Sequence, residues 1–209
     1  MLDTWLTRKG SAFEARLVGL AQRLLQAGWT PNAVTYAALW TGVAAGGFFY
    51  VDHTWLAFAM MLVSGLLDAV DGRVARLGPG PTPWGGVLDL TFDRVVEAAV
   101  LLGIALPRPH LHAAALVVAA TWYVNISVFL AVGAASEKYS EKVIFYPPGL
   151  LERGESLLFA FVAVAMPGWA VLGLYVYAGL EVITAWQRFR YGRAALRYSR
   201  QSAATTTAL

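Results

Sequence analysis

The chain has 209 residues, 58% of them hydrophobic and 14% charged, with a mean hydropathy of +0.56. A sequence this apolar excludes an ordinary soluble domain and fits a multi-span membrane protein. The absence of cysteine excludes disulfides and thiolate chemistry, and the net charge of +3 is read first as membrane topology rather than nucleic-acid binding.

Residues 2–27 mix apolar and charged positions. Trp5, Leu6, Phe13, Leu17, Leu20, Leu24 and Leu25 recur at helical spacing, with Lys9, Glu14, Arg16 and Arg23 mostly between them. That pattern predicts an amphipathic helix lying in the membrane interface, within an N-terminal segment of residues 1–29. No cleavage site follows the first apolar run, so the N-terminus is expected to be retained. Thr30-Pro31-Asn32 then supplies a capping threonine with proline at the first helical position, which opens a span over residues 32–51. Gly42 and Gly46 form a GxxxG pair that permits close helix packing.

Asp52-His53 makes a short turn into a second span over residues 55–77. Glycine and proline alternate over residues 78–83 and break it, and a third span follows over 84–106. Pro107 to Pro109 turns the chain into a fourth span, 112–135, and a polar segment ends in Pro147-Pro148-Gly149. A fifth span starts at Glu152 and stops before Pro167; a sixth covers 169–189. A basic tail, 191–209, closes the chain, its last residues expected to be disordered. The predicted fold is an all-α integral membrane protein: six transmembrane helices over residues 30–190, preceded by the interfacial helix.

Six spans place both termini on one side. Arg8, Lys9, Arg16, Arg23, Arg73, Arg76, Lys138, Lys142, Arg153, Arg188, Arg190, Arg193, Arg197 and Arg200 fall on that side, and only Arg108 falls clearly opposite. By the positive-inside rule both termini and the loop after the second span are cytoplasmic.

Asp68, Asp71, Asp89 and Asp93 interrupt the apolar sequence. Carboxylates at membrane depth are costly, and the usual compensation is function. The first two lie near the cytoplasmic end of the second span and the others near that end of the third. Spacings of three and four residues put each pair on one helix face. The short connection predicts antiparallel neighbours, so all four carboxylates are expected to converge on one pocket. Oxygen ligands without His or Cys favour Mg²⁺, Mn²⁺ or Ca²⁺ over zinc. Asp89 and Asp93 are separated by roughly 6 Å along a helix axis, compatible with one ion or with two about 4 Å apart. Gly72 and Ala75 keep the helix surface low between Asp71 and Arg76, and Gly85 does so at the start of the facing helix. Arg76 is a planar donor suited to phosphate. Metal, arginine and room for a ring together describe a nucleotide diphosphate.

In the order Asp68, Asp71-Gly72, Ala75-Arg76, Gly85, Asp89, Asp93, this stretch resembles the signature of the CDP-alcohol phosphatidyltransferases at all its fixed positions and spacings. The six-span layout and the N-terminal helix are similar as well, and the likeness thins after the third span. The resemblance implies that Asp68, Asp71 and Asp89 are metal ligands, that Asp93 is the general base and a further ligand, and that Gly72, Ala75, Arg76 and Gly85 form the CDP site. It implies Mg²⁺ or Mn²⁺, as two ions, and a homodimer. The implied reaction is transfer of a phosphatidyl or related lipid phosphoryl group from a CDP-linked lipid, such as CDP-diacylglycerol, to a hydroxyl of a small polar alcohol. CMP is released at the cytoplasmic membrane surface, in phospholipid biosynthesis.

Other readings stand beside this one. Lys138, Lys142 and Arg153, with Arg193 and Arg197, suit the phosphate of an acceptor such as glycerol phosphate or inositol phosphate, and equally suit topology alone. Glu152 and Glu155 fit a helix start. Arg94 either pairs with a neighbouring aspartate or snorkels to the surface; Glu97 either extends the acidic face or supports it. Asn32 and Asn125 cap helices, bond between helices or line the site. A membrane prenyltransferase also uses Asp-rich helices and Mg²⁺ but does not require the glycine, alanine and arginine pattern. A cation transporter would spread its carboxylates across the bilayer rather than cluster them at one side.

Overall fold

The computed structural model describes residues 11–137 and 166–207. Among them the regular elements are helices, with no strand: α1 (Ser11–Gln26), α2 (Pro31–Tyr50), α3 (Thr54–Leu77), α4 (Pro83–Ala105), α5 (His112–Glu137) and α6 (Ala170–Thr207), with single 3₁₀ turns at Pro109–Leu111 and Pro167–Trp169. The residue ranges of the first four expected spans coincide closely with the helices α2 to α5. The fifth lies outside the described residues. The sixth begins as expected but continues as helix through the basic tail to Thr207, into the last residues, the part expected to be disordered. After Gly192 the tail holds no glycine or proline, and Ala194, Ala195, Leu196 and Arg197 are strong helix formers, so nothing in the sequence stops the helix.

Among the described residues three helical stretches are long and apolar enough to cross a membrane: Thr54–Leu77, Pro109–Ala135 and Ala170–Ala194. These make the protein an all-helical integral membrane protein. Helix α4 falls short of that apolarity because it carries Asp89, Asp93, Arg94 and Glu97, and α2 because aromatic and glycine residues dilute its aliphatic ones.

The chain divides into two compact units, up to His112 and from Ala113. In the first, α2 is the central element. It packs along both α3 and α4, whereas α3 and α4 have little close backbone approach to each other. The two acid-bearing helices, expected as antiparallel neighbours, are consecutive and bring carboxylates together, while the close backbone packing of each is against α2. Glycine permits this. A Cβ on Gly42 would come within 2.5 Å of the Val96 side chain on α4 and 2.8 Å of Ser64 Oγ on α3. Gly103 of α4 lies directly against the Gly46 backbone. The GxxxG pair is thus used inside the protomer. Ser64 Oγ donates to the Ala38 carbonyl at 2.7 Å and ties α3 to α2.

Helices α2 and α4 begin alike. The Thr30 hydroxyl accepts from the Ala33 N–H at 3.2 Å, with Pro31 in the first turn. The Thr82 hydroxyl accepts from the Gly85 N–H at 3.0 Å, with Pro83 in the first turn. Each cap satisfies one otherwise orphan donor. Helix α1 closes at Gly28, whose φ of +82° suits glycine, with Trp29 N–H donating to the Leu24 carbonyl at 3.0 Å. Beyond α2, Asp52 takes a left-handed turn at φ 61° and pairs with Arg108, the one cation expected opposite the others.

The apolar stripe of α1 is covered from Leu17 onward, while Phe13 is exposed. Leu17 and Ala21 are buried with Val34, Val70 and Val74, and Leu20, Leu24, Leu25 and Leu67 pack alongside. Glu14 and Arg73 form an ion pair at 2.5 Å, and the hydrogen bond from that guanidinium holds the Glu14 carboxyl below its ordinary range. Helix α1 is therefore seated on the end of α3 that carries the aspartates.

In the second unit α5 and α6 are joined by polar contacts. Trp122 Nε1 donates to the Tyr177 hydroxyl at 3.0 Å. Buried Asn125 donates to the buried Glu181 carboxylate and accepts from Arg188 Nη1 at 2.8 Å. The Arg188 guanidinium stands 5.3 Å from the centre of the Phe129 ring. Gly192 lies against Val132, where a Cβ would clash at 2.5 Å.

Candidate metal and nucleotide site

Asp68 and Asp71 project from the last turns of α3, and Asp89 from the second turn of α4. One carboxylate oxygen from each lies within 4.8 Å of the others. Asp71 is buried; Asp68 and Asp89 are half-buried. The side chains meet across the gap that α3 and α4 leave between their backbones. Like charges about 4 Å apart repel by roughly 1 kcal/mol per pair in water and about four times that near a protein surface. A divalent cation removes that repulsion, and an oxygen-only donor set is what a hard cation prefers. The three aspartates therefore fit a divalent metal.

Asp93 is half-buried one turn further into α4 and lies outside this three-carboxylate group. Of the four carboxylates expected to converge, three form this close group. The cluster forms where the end of α3 faces the second turn of α4, and Asp93 is roughly 6 Å further along the α4 axis. Arg94 pairs with Glu97 at 2.8 Å, so Glu97 does not simply extend the acidic face.

A fourth participant was not apparent from the sequence. Thr35, buried on α2, donates from its hydroxyl to Asp71 Oδ2 at 2.7 Å. The partners are 36 residues apart, and no local spacing connects them. The available signal was its place one turn after Pro31, a polar side chain in the first turns of a mostly apolar helix.

The small residues sit as follows. The exposed Arg76 guanidinium folds over Gly72: a Cβ there would lie 3.5 Å from Nη1, an ordinary contact. Ala75 is half-buried beside it. A Cβ on Gly85 would lie 3.2 Å from the capping Thr82 Oγ1 and 3.9 Å from Asn32 Oδ1. Gly85 thus has a local reason to be glycine besides any ligand, and Asn32 stands beside this rim. Asn125 is not part of this group; it is the interhelical bridge of the second unit. Lys138, Lys142, Glu152, Arg153 and Glu155 lie outside the described residues. Arg193 is exposed on α6, and Arg197 lies on the same helix.

The CDP-alcohol phosphatidyltransferase family matches residues 28–187. The match starts after α1 and reaches into α6, well beyond the third span, where the likeness was expected to thin. The archaetidylinositol phosphate synthase of Pyrococcus horikoshii is 31% identical over 170 residues, covering 81% of this chain and 86% of that protein. The crystal structure of Mycobacterium tuberculosis phosphatidylinositol phosphate synthase in complex with manganese and citrate aligns with a TM-score of 0.69 at 26% identity, over 84% of this chain and 88% of that one. The same enzyme with CDP-DAG bound aligns with a TM-score of 0.67 at 26% identity, over 84% and 92%. With an acidic cluster suited to a divalent ion and a family match over most of its length, the chain belongs to the CDP-alcohol phosphatidyltransferases, membrane enzymes that transfer a phosphatidyl group from a CDP-linked lipid to an alcohol.

Proposed function

We propose that the acceptor is a phosphorylated polyol of the inositol phosphate type and that the donor is CDP-diacylglycerol or a close relative. The acceptor follows the names of the similar synthases, and the donor follows the CDP-DAG complex of the mycobacterial enzyme. The observation that carries the reading is the meeting of Asp68, Asp71 and Asp89 from two helices within 4.8 Å. In the reaction, the acceptor hydroxyl oxygen bonds to the lipid-side phosphorus. The bond from that phosphorus to the CMP oxygen breaks, and the hydroxyl proton passes to a base.

Asp68, Asp71 and Asp89 would hold Mg²⁺ or Mn²⁺, with Asp93 a further ligand if two ions bind. When bound, the cation offsets the diphosphate charge and stabilises the CMP leaving group. Asp93 takes the proton from the attacking hydroxyl. Arg76 swings from Gly72 to a phosphate oxygen, as a planar fork suits. Gly72, Ala75 and Gly85 leave the cytidine room against the backbone. Lys138, Lys142 and Arg153 bind the acceptor's phosphate.

Around this centre we place an interfacial segment at residues 1–29, six spans over 30–190 and a basic tail at 191–209, with both termini and the site cytoplasmic. The support is the one-sided distribution of lysine and arginine. A homodimer rests on the family resemblance.

The test uses the purified protein with CDP-diacylglycerol, Mg²⁺ or Mn²⁺, and serine, inositol, inositol phosphate or glycerol phosphate, scored by CMP. Metal-dependent release with inositol phosphate is expected. Release with serine or unphosphorylated inositol alone would overturn the acceptor, and no release with any alcohol would overturn the reading.

A further inference from the structure

We infer that Thr35 is a positioning residue for the metal site: from α2, its hydroxyl fixes the carboxylate of Asp71 and so sets the affinity of the site for its cation. This rests on the metal reading above. Asp71 is the buried member of the three aspartates, and a buried carboxylate must have its oxygens satisfied. Thr35 supplies its one hydroxyl proton. Two acceptors lie within reach, Asp71 Oδ2 at 2.7 Å and the Pro31 carbonyl at 3.1 Å. The ionised acceptor is both the nearer and the stronger.

The side chain is itself well held. Threonine in a helix is confined to two χ1 wells, one of which brings the hydroxyl to the carbonyl four residues back. Thr35 is within reach of that carbonyl and of Asp71 at once, so the same restricted rotamer serves both. Its backbone belongs to α2, the helix packed along both acid-bearing helices. The hydrogen bond therefore references one metal ligand to the common support of all three. It occupies one lone pair of Oδ2 and leaves acceptor capacity for a cation. Loss of an outer partner of this kind costs roughly 10–100-fold in metal affinity or activity.

The experiment compares Thr35→Val, which keeps the shape and removes the donor, with Thr35→Ser, which keeps the donor. Mn²⁺ binding is titrated by the paramagnetic resonance of the free ion on detergent-purified full chain without CDP-lipid, and folding is monitored by thermal unfolding without metal. Thr35→Val is expected to weaken Mn²⁺ binding about 10-fold or more, and Thr35→Ser to stay within about threefold of wild type. The Mn²⁺ concentration that half-activates CMP release should shift in parallel. A folded Thr35→Val that binds Mn²⁺ like wild type overturns the inference, as does a Thr35→Ser as weak as Thr35→Val. Should Thr35→Val not fold, Thr35→Ala, which leaves space for a water, replaces it with the same expected order against Thr35→Ser. A wild type that binds no Mn²⁺ overturns instead the metal reading on which this rests.

Discussion

Asp89 and Asp93 stand one helical turn apart on α4, yet only Asp89 belongs to the three-carboxylate cluster. The two should therefore fail differently. Asp89→Asn is expected to lose Mn²⁺ binding in the resonance titration. Asp93→Asn is expected to keep Mn²⁺ binding at the three-aspartate cluster and CDP binding, while turnover falls by about 10²- to 10⁴-fold, the contribution of a positioned base. Unchanged turnover in Asp93→Asn would remove Asp93 from that role. At this scale most of the acidic cluster was legible, because carboxylates in an apolar run have few uses and their three- and four-residue spacings assign each pair to a face. The sequence did not show Thr35, whose partner is remote in sequence, nor that Arg94 would pair with Glu97, since Asp93 and Asp89 also lie within a few residues of it. Gly85 was legible as a glycine that matters, but its second reason, the crowding of the Thr82 cap, needed coordinates.

The helices were legible from their punctuation. The Thr-Pro start at Thr30 and the glycine- and proline-rich break before α4 were legible, while the helical end of the chain went unseen because its last residues were read as a fraying terminus. Pairing was less legible, since a short loop tells which helices are consecutive and not which ones touch. The seam of α2 against α4 gives a direct test. Gly46→Val must push into the Ala99 backbone and is expected to cost roughly 1–3 kcal/mol by overpacking. Gly47→Ala, where a Cβ meets nothing within 4 Å, should be neutral or gain up to about 1 kcal/mol of helix preference. Thermal unfolding in detergent checks both, and equal losses would refute the seam. In the second unit the Asn125 amide turns its oxygen to Arg188 and its nitrogen to Glu181, so it serves two opposite charges at once. Asn125→Leu removes both bonds and is expected to lower stability by about 1–3 kcal/mol, read as a fall in unfolding midpoint. No change would show that water replaces the amide.

For the molecule as a whole, composition identifies a membrane protein, but only three described helices reach the apolarity of a span because the chemistry occupies α4 and close packing occupies α2. Orientation is testable without background, since the chain has no cysteine. Single cysteines at Ser11 and Pro79 should react with an impermeant maleimide only when the cytoplasmic face is open, and cysteines at His53 and His110 only from the opposite face. The reverse pattern would invert the proposed topology. Both acid-bearing helices take their bearings from α2 and not from one another. The aperture between them is gauged by the thickness of two faces of a third helix. Exchanging small residues along those faces would shift α3 against α4 and so change the spacing of Asp68 and Asp71 from Asp89, which makes the packing of α2 a remote control on the fit of the cation.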